Sequence, residues 1–142
     1  MVRRVARNLA GGKLAEYDDY LAIIDAIAQE QTWFDGSAED DPPGDCPLPR
    51  TEAEVDSDAY RQSLSAPCRK LYDDYPDSTL HVSSEEYLHY LTLAKSKGEI
   101  VFTVDYALEP DNVAWVCETS RSLGFVPFAS NRGLDRYVEP VP

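Results

Sequence analysis

The chain has 142 residues, of which 43% are hydrophobic and 11% aromatic, so it can form the packed core of one domain and is too apolar for wholesale disorder. Its 26 acidic residues outnumber its 13 basic residues, for a formal charge of -13. This balance argues against a nucleic-acid partner, which attracts clusters of Lys and Arg. No apolar run approaches the roughly 20 residues of a membrane span, so no membrane partner is predicted either.

The N-terminal stretch MVRRVARNLAGGKL is basic but lacks the apolar core of ~7–15 residues that a signal peptide has. We therefore expect either a cytosolic chain as written or a chain whose true N-terminus is missing. Cys46 and Cys68 lie in one polar, proline-bearing segment and could pair, which would imply an oxidising compartment, but the sequence leaves the pairing open. No Cys or His spacing indicates zinc, and no metal or cofactor is predicted.

The first predicted helix spans residues 14–24, where apolar side chains recur at helical spacing, and Asp25 marks a turn. Residues 26–34, AIAQEQTWF, then predict a strand that carries Glu30 inside it. The insert at 35–82 is far longer than an ordinary loop, begins acidic and proline-rich, and has room for a short helix in its second part. Because it leaves the carboxyl end of a strand, a lid over a site is favoured over passive surface decoration.

The C-terminal half has a clearer pattern. Ser83 and Glu86 have the spacing of a capping box, and Gly98 is suited to end the helix that follows. The continuous apolar run Ile100–Val104 is typical of a buried parallel strand. The apolar residues of that helix recur at helical spacing: Tyr87, Leu88, Leu91 and Ala94.

A further helix is predicted from Pro110 to Gly124, with Val113, Val116, Cys117 and Ser120 on one side. Residues 125–129 predict the last strand, although Pro127 is unusual in a central strand. The resulting alternation of helices and strands favours an α/β fold with a parallel sheet. Since a closed (β/α)8 barrel needs about 250 residues, this chain would supply only its last part, roughly three strands.

Polar side chains lie at the ends of all three predicted strands, which emerge at one edge of a parallel sheet. A pair of carboxylates at that edge would suit glycoside hydrolysis, in which one group protonates the leaving oxygen while the other attacks the sugar or activates water. Aromatic side chains such as Trp33 and Tyr106 could stack on sugar rings. The polar candidates are Glu30, Asp105, Ser130, Asn131 and Arg132.

Spacing alone leaves other interpretations open. A strand-terminal Asp such as Asp105 often caps the next turn or helix, and Glu30 could belong to a structural ion pair. Trp33 could equally pack in the core between strand and helix. A phosphoacceptor domain that uses Asp105 would require a further acidic cluster and a lysine at other strand ends, and the sequence shows neither.

AIAQEQTWFDG, followed by VFTVDYALEPDNVAWVCETSRSLGFVPFASNRGLD, resembles the C-terminal part of glycoside hydrolase family 114, the endo-α-1,4-polygalactosaminidase-like TIM barrels. In that family, strands resembling DGI-x-x-E, VVDYA and GFVPYVS-x-R-x-LD occur in this order. The likeness covers most of the chain and is weakest in the insert. It implies hydrolysis of α-1,4-linked galactosamine polymers, without a cofactor, by a secreted parent protein.

By this resemblance, Glu30 matches the strand-end glutamate and is the expected catalytic acid/base. Asp105 matches the aspartate of the VDYA motif, which the resemblance places in the substrate site as a second catalytic candidate, while Tyr106 and Arg132 match positions on the same rim. Trp33 and Ser130 complete the predicted substrate-binding set.

The departure from the family is the size of the barrel, because five strands and another catalytic aspartate would lie outside this sequence. We therefore expect a fragment of an active hydrolase that is itself inactive or nearly so. The alternative is a non-catalytic carbohydrate-binding or interaction module that keeps the aromatic rim without the chemistry.

Overall fold

A computed structural model describes residues 24–36 and 45–138 of the chain. Most of the predicted first helix, at 14–24, lies outside these residues. In chain order the described elements are β1 (Ala26–Glu30), β2 (Phe34–Asp35), β3 (Cys46–Pro47), a 3-10 turn (Glu52–Glu54), α1 (Asp58–Ser63), α2 (Ala66–Asp74), a second 3-10 turn (Thr79–His81), α3 (Ser84–Ser96), β4 (Ile100–Tyr106), α4 (Pro110–Ser122) and β5 (Val126–Ser130).

The main sheet has three parallel strands in the order β1-β4-β5. β2 and β3 form a separate antiparallel pair. The predicted α/β class with a parallel sheet is thereby confirmed. Pro127 of β5 pairs with Thr103 of β4. Among the described residues β5 is an edge strand, and an edge tolerates a residue without a backbone N–H.

Side chains of the main sheet divide between two unlike faces. On the covered face, Ile27 and Val101 pack against Leu91 and Ala94 of α3, and α4 packs beside them against β5. On the other face, which we call the open face, Ile100 is 51% exposed and Phe128 41% exposed. Parallel sheets are ordinarily buried on both faces, so an apolar face with no helix packed on it among the described residues is unusual.

The ends of α3 form as its sequence predicts. Ser83 is the N-cap, and its hydroxyl oxygen accepts the amide of Glu86 at 3.0 Å. Gly98 lies just beyond the last turn with φ 92°, a conformation that glycine adopts without steric cost. Three of the four predicted apolar positions are buried: Tyr87, Leu91 and Ala94.

Helix α4 has the predicted start and the predicted buried side, and a carboxylate of the insert binds the two residues that precede it. Its N-cap, Glu109, makes no side-chain capping bond. Instead, Asp45 Oδ1 accepts the amide of Leu108 at 2.7 Å, and Asp45 Oδ2 accepts the amide of Glu109 and the side-chain amide of Asn112, both at 2.9 Å. A carboxylate at this end also interacts favourably with the helix dipole.

Strand β1 is shorter than predicted, and this changes the position of Glu30. The sequence predicted a strand over 26–34, whereas β1 ends at Glu30 and the chain then turns. Gln31 has φ 55°, in the left-handed region, and no glycine marks the break. Glu30 is therefore the last residue of its strand instead of an interior one. β4 and β5 extend beyond their predicted ends, to Tyr106 and Ser130.

The described part of the insert is a folded unit and not an irregular loop. A disulfide joins Cys46 to Cys68, the pairing that the sequence left open. Around it lies a core of buried apolar side chains that includes Leu48, Tyr60 and Leu80. Two helices and two 3-10 turns form where the sequence predicted one short helix. The lid role of the insert stays a prediction.

The disulfide should stabilise the domain measurably. It closes a loop with a sequence separation of 22, for which chain-entropy estimates give about 3 kcal/mol. We expect the double variant Cys46→Ala/Cys68→Ala to lose about that free energy of unfolding in urea titrations. The wild-type protein treated with a reductant should fall to a similar level, whereas the variant should not respond. Denaturing thiol titration of the oxidised protein should find one free thiol, that of Cys117, and three would contradict the pairing.

Asp45 offers a second test of the fold. Asp45→Asn keeps a residue type that tolerates its φ of 65° but replaces one of the accepting oxygens, so it should cost roughly 1–2 kcal/mol in urea unfolding. Asp111→Asn is the matched control, because Asp111 is exposed in the first turn of α4. An equal loss in both variants would show that Asp45 contributes charge alone.

Candidate functional site

The side chains best placed to take part in a reaction are Glu30 and Tyr106, at the carboxyl ends of β1 and β4. The register places Glu30 beside Val104, so Glu30, Val104 and Tyr106 all lie on the open face. The hydroxyl of Tyr106 donates a hydrogen bond to Oε2 of Glu30. A half-buried carboxyl group held in this way can accept or donate a proton at the strand ends.

Ser130 continues this row, because it pairs with Tyr106 in the register. Its hydroxyl donates to the backbone carbonyl of Arg136 at 2.6 Å, which fastens the segment after β5 back onto the strand end. Arg132 lies in that segment and is exposed. The structure thus brings Glu30, Tyr106 and Ser130 to one edge of the sheet, with Arg132 on the adjoining loop.

Asp105 lies on the opposite face. It alternates with Tyr106 along β4 and shares the covered face with Val101 and Thr103. Its side chain is fully buried, and Oδ1 accepts the backbone amides of Trp33 at 2.6 Å and Phe34 at 3.0 Å. The structure therefore does not bring the carboxyl groups of Asp105 and Glu30 together. An enclosed Asp105 is also poorly placed to accept a phosphoryl group.

The surroundings of Asp105 favour its neutral form. Oδ2 is buried and accepts no hydrogen bond from any group in the described part of the chain. Burial raises the pKa of Asp105 to about 7, against the opposing effects of the Trp33 and Phe34 amides and the Arg50 guanidinium. Because Oδ1 already accepts two amides, a proton on this carboxyl group belongs on Oδ2.

Trp33, predicted as a stacking platform for sugars, lies in the core. It is 5% exposed, and its indole N–H donates to the hydroxyl of Ser120 in α4 at 3.0 Å. Its ring meets that of Trp115 edge to face, with centroids 5.2 Å apart. No face of the indole is left open for a sugar ring.

Arg50 is a site residue that the sequence did not indicate. Its guanidinium carbon lies 4.1 Å from the ring centroid of Trp115 and 5.2 Å from that of Phe34, within the range of cation–π interactions. Burial lowers the pKa of Arg50, whereas the carboxylate of Asp105 raises it. Arg50 follows LP in a proline-rich stretch, and no local pattern relates it to residues so distant in the chain.

Among the described residues, no three His, Cys, Asp or Glu side chains lie close enough together to hold a metal ion. Within the same residues, no helix combines the length and apolarity that crossing a membrane requires. Comparison of the chain with known protein families, with curated proteins and with solved structures finds no match. The resemblance to glycoside hydrolase family 114 therefore stays a prediction.

The raised pKa of Asp105 predicts a specific dependence of stability on pH. Between the unfolded value of 3.8 and the folded value of about 7, the native state holds a proton that the unfolded state releases. This contribution to stability is complete below about pH 4 and is lost as the pH rises through 7. In Asp105→Asn the loss is absent, so the variant should gain on the wild type by an amount on the order of a few kcal/mol between pH 5 and 8.

Urea unfolding curves, monitored by tryptophan fluorescence at several pH values, measure this difference in the free energy of unfolding. Subtracting one curve from the other removes the titration of the other carboxylates that both proteins share. Arg50, which influences Asp105, and Cys117, which Asp105 influences, are both kept in the variant. A difference that does not change with pH would contradict the buried, protonated state of Asp105.

Proposed function

We propose that this chain is the C-terminal part of a (β/α)8-barrel glycoside hydrolase in which Glu30 is the catalytic acid/base. The observation that carries the proposal is the position of Glu30 and Tyr106 at the carboxyl ends of parallel strands, on the sheet face that no described helix covers. In barrels of this class, the interior face is filled by side chains of the strands, and the active site lies at the carboxyl end.

The side on which the helices pack is compatible with a barrel. Both described crossover helices, α3 and α4, pack on one face, as the outer helix ring of a barrel does. Three strands cannot close a barrel, so the apolar side chains Ile100, Phe102 and Phe128 would be covered by the remaining strands. Without these, an open face and two strand edges favour association or aggregation.

Glu30 would act as the proton donor and acceptor at the glycosidic oxygen, with Tyr106 holding its carboxyl group. Glycoside hydrolysis requires a second carboxyl group, ~5–5.5 Å away for retention or ~6.5–9.5 Å for inversion of configuration. Asp105 is a poor candidate, because it faces the helices and has no exposed oxygen. We propose that the second carboxylate comes from a strand of the barrel that this sequence does not include.

The motif resemblance suggests an α-1,4-linked galactosamine polymer as substrate. Such a polymer is cationic where it is deacetylated, which suits a chain of net charge -13. The disulfide between Cys46 and Cys68 is compatible with the extracellular location that this substrate implies.

A second candidate is a non-catalytic carbohydrate-binding module. It is favoured by the exposed aromatic rings of Phe128 and Tyr137, which are 41% and 65% exposed with centroids 6.5 Å apart. Rings in this arrangement could stack on sugars without any chemistry. Such a module would bind the polymer and release no new reducing ends.

The test is an assay of reducing-end release from a galactosamine polymer, with the longest protein that contains this sequence. We expect Glu30→Gln to lower kcat by at least about 100-fold, because proton transfer at the leaving oxygen is lost. Glu118→Gln, an exposed position on α4, is the matched control and should keep full activity. Undiminished hydrolysis in Glu30→Gln would remove Glu30 from the mechanism, and binding without hydrolysis by the unmodified protein would favour the module.

A further inference from the structure

Asp105 and Tyr106 are consecutive residues that hold the same point of the chain from opposite faces of the sheet. On the open face, the Tyr106 hydroxyl donates to the carboxyl group of Glu30. On the covered face, Asp105 Oδ1 accepts the amides of Trp33 and Phe34, which lie in the turn that follows Glu30. The end of β1 is therefore held on the open face through the side chain of Glu30, and on the covered face through the backbone amides of Trp33 and Phe34.

We propose that Asp105 is a positioning residue for Glu30, acting through the turn 31–34 and not through direct contact with the substrate. This inference rests on the proposed catalytic role of Glu30. It also assigns separate tasks to the two residues of the DY sequence, since Tyr106 orients the carboxyl group while Asp105 fixes the backbone that carries it.

The backbone geometry at this turn needs such an acceptor. The chain leaves β1 with Gln31 at φ 55°, while the Gln31 amide still donates to Val104 O at 2.7 Å. The next amides then point inward, into a region that water does not reach. A buried amide without an acceptor costs about 1–3 kcal/mol, so loss of Oδ1 would favour a rearranged turn. Such a rearrangement would reach Glu30 through Thr32 and Gln31, the two residues that join it to the Trp33 amide.

The rest of the turn is fastened to the insert and to α3. Asp35 accepts the side-chain amide of Gln31 through Oδ1 and the hydroxyl of Thr79 through Oδ2, the latter at 2.8 Å. The Ser84 hydroxyl donates to Thr32 O at 2.7 Å. These contacts hold the outer side of the turn, whereas Asp105 joins it to β4, the strand that also carries Tyr106. Together with the backbone bond from Gln31 to Val104, Asp105 thus relates the position of Glu30 to that of its partner.

The experiment compares Asp105→Ala and Asp105→Asn by NMR of chains with 13C-labelled tyrosine. The Cζ signal of Tyr106, assigned with Tyr106→Phe, reports the hydrogen bond to Glu30, and Glu30→Gln gives the signal of the altered pair. We expect Asp105→Ala to move the Tyr106 signal most of the way to its position in Glu30→Gln. Asp105→Asn should restore the wild-type position at pH 6, because its carbonyl oxygen still accepts the two amides.

Asp45→Asn is the matched control, since the Asp45 side chain also accepts two backbone amides at this edge, and the change keeps the Asp45 backbone amide that donates to Tyr106 O at 2.9 Å. It should lower stability and leave the Tyr106 signal unchanged. If Asp105→Ala does not fold, Asp105→Ser serves instead, because its shorter side chain brings no carbonyl oxygen to the two amides. An unmoved Tyr106 signal in a folded Ala or Ser variant, or an equal shift in Asp45→Asn, would overturn the proposal.

Activity provides an independent readout. In the longest protein that contains this sequence, Asp105→Ala should lower kcat roughly 10- to 100-fold with KM within about twofold, and Asp105→Asn should recover most of the loss. Equal losses in the Ala and Asn variants would contradict positioning through the two amides. If Glu30→Gln is fully active, the proposed function fails, while the Tyr106 signal still decides whether Asp105 positions Glu30.

Discussion

The hydrogen bonds from the Trp33 and Phe34 amides to the carboxyl group of Asp105 are the contacts on which the carboxyl edge of this sheet depends. They direct the chain inward immediately after β1, and the residues of this turn then bind the insert and α4. Trp33 O accepts the amide of Leu48 from the insert at 2.9 Å, and the Trp33 indole reaches Ser120 in α4. Strand, helix layer and insert are thus joined around one buried acceptor, whose pKa burial raises to about 7, so that it is largely uncharged below that pH.

The pleat of β4 adds a second constraint. Neighbouring residues in a strand face opposite sides, so Asp105 and Tyr106 cannot both belong to one site on one face. The adjacent Asp and Tyr therefore divide between an internal role and an open one. The sequence predicted a pair of carboxylates at one rim, whereas the hydrogen bond there joins a carboxyl group to a phenol. A buried acid at a strand end can therefore serve as a hydrogen-bond acceptor for the backbone amides around it.

Local signals account for most of what the sequence predicted correctly. The Ser83 cap, the Gly98 terminator and the apolar side of α4 all depend on residues within a few positions of each other. The common edge of Glu30, Tyr106 and Ser130 also followed from the order of parallel strands. The face that Asp105 occupies could not be predicted, because the run from Ile100 to Val104 is apolar at nearly every position and shows no alternation of apolar and polar residues.

The sequence by itself determined the α/β class and the ends of α3 and α4, since these follow from periodicity, capping and chain order. Only the tertiary structure decided that β1 stops at Glu30, that Asp45 binds the start of α4 and that Arg50 lies against Trp115. The contact of Asp105 with Trp33 spans 72 positions and that of Asp45 with Leu108 spans 63. Contacts at such separations depend on how whole elements pack, and no pattern within a single segment contains them.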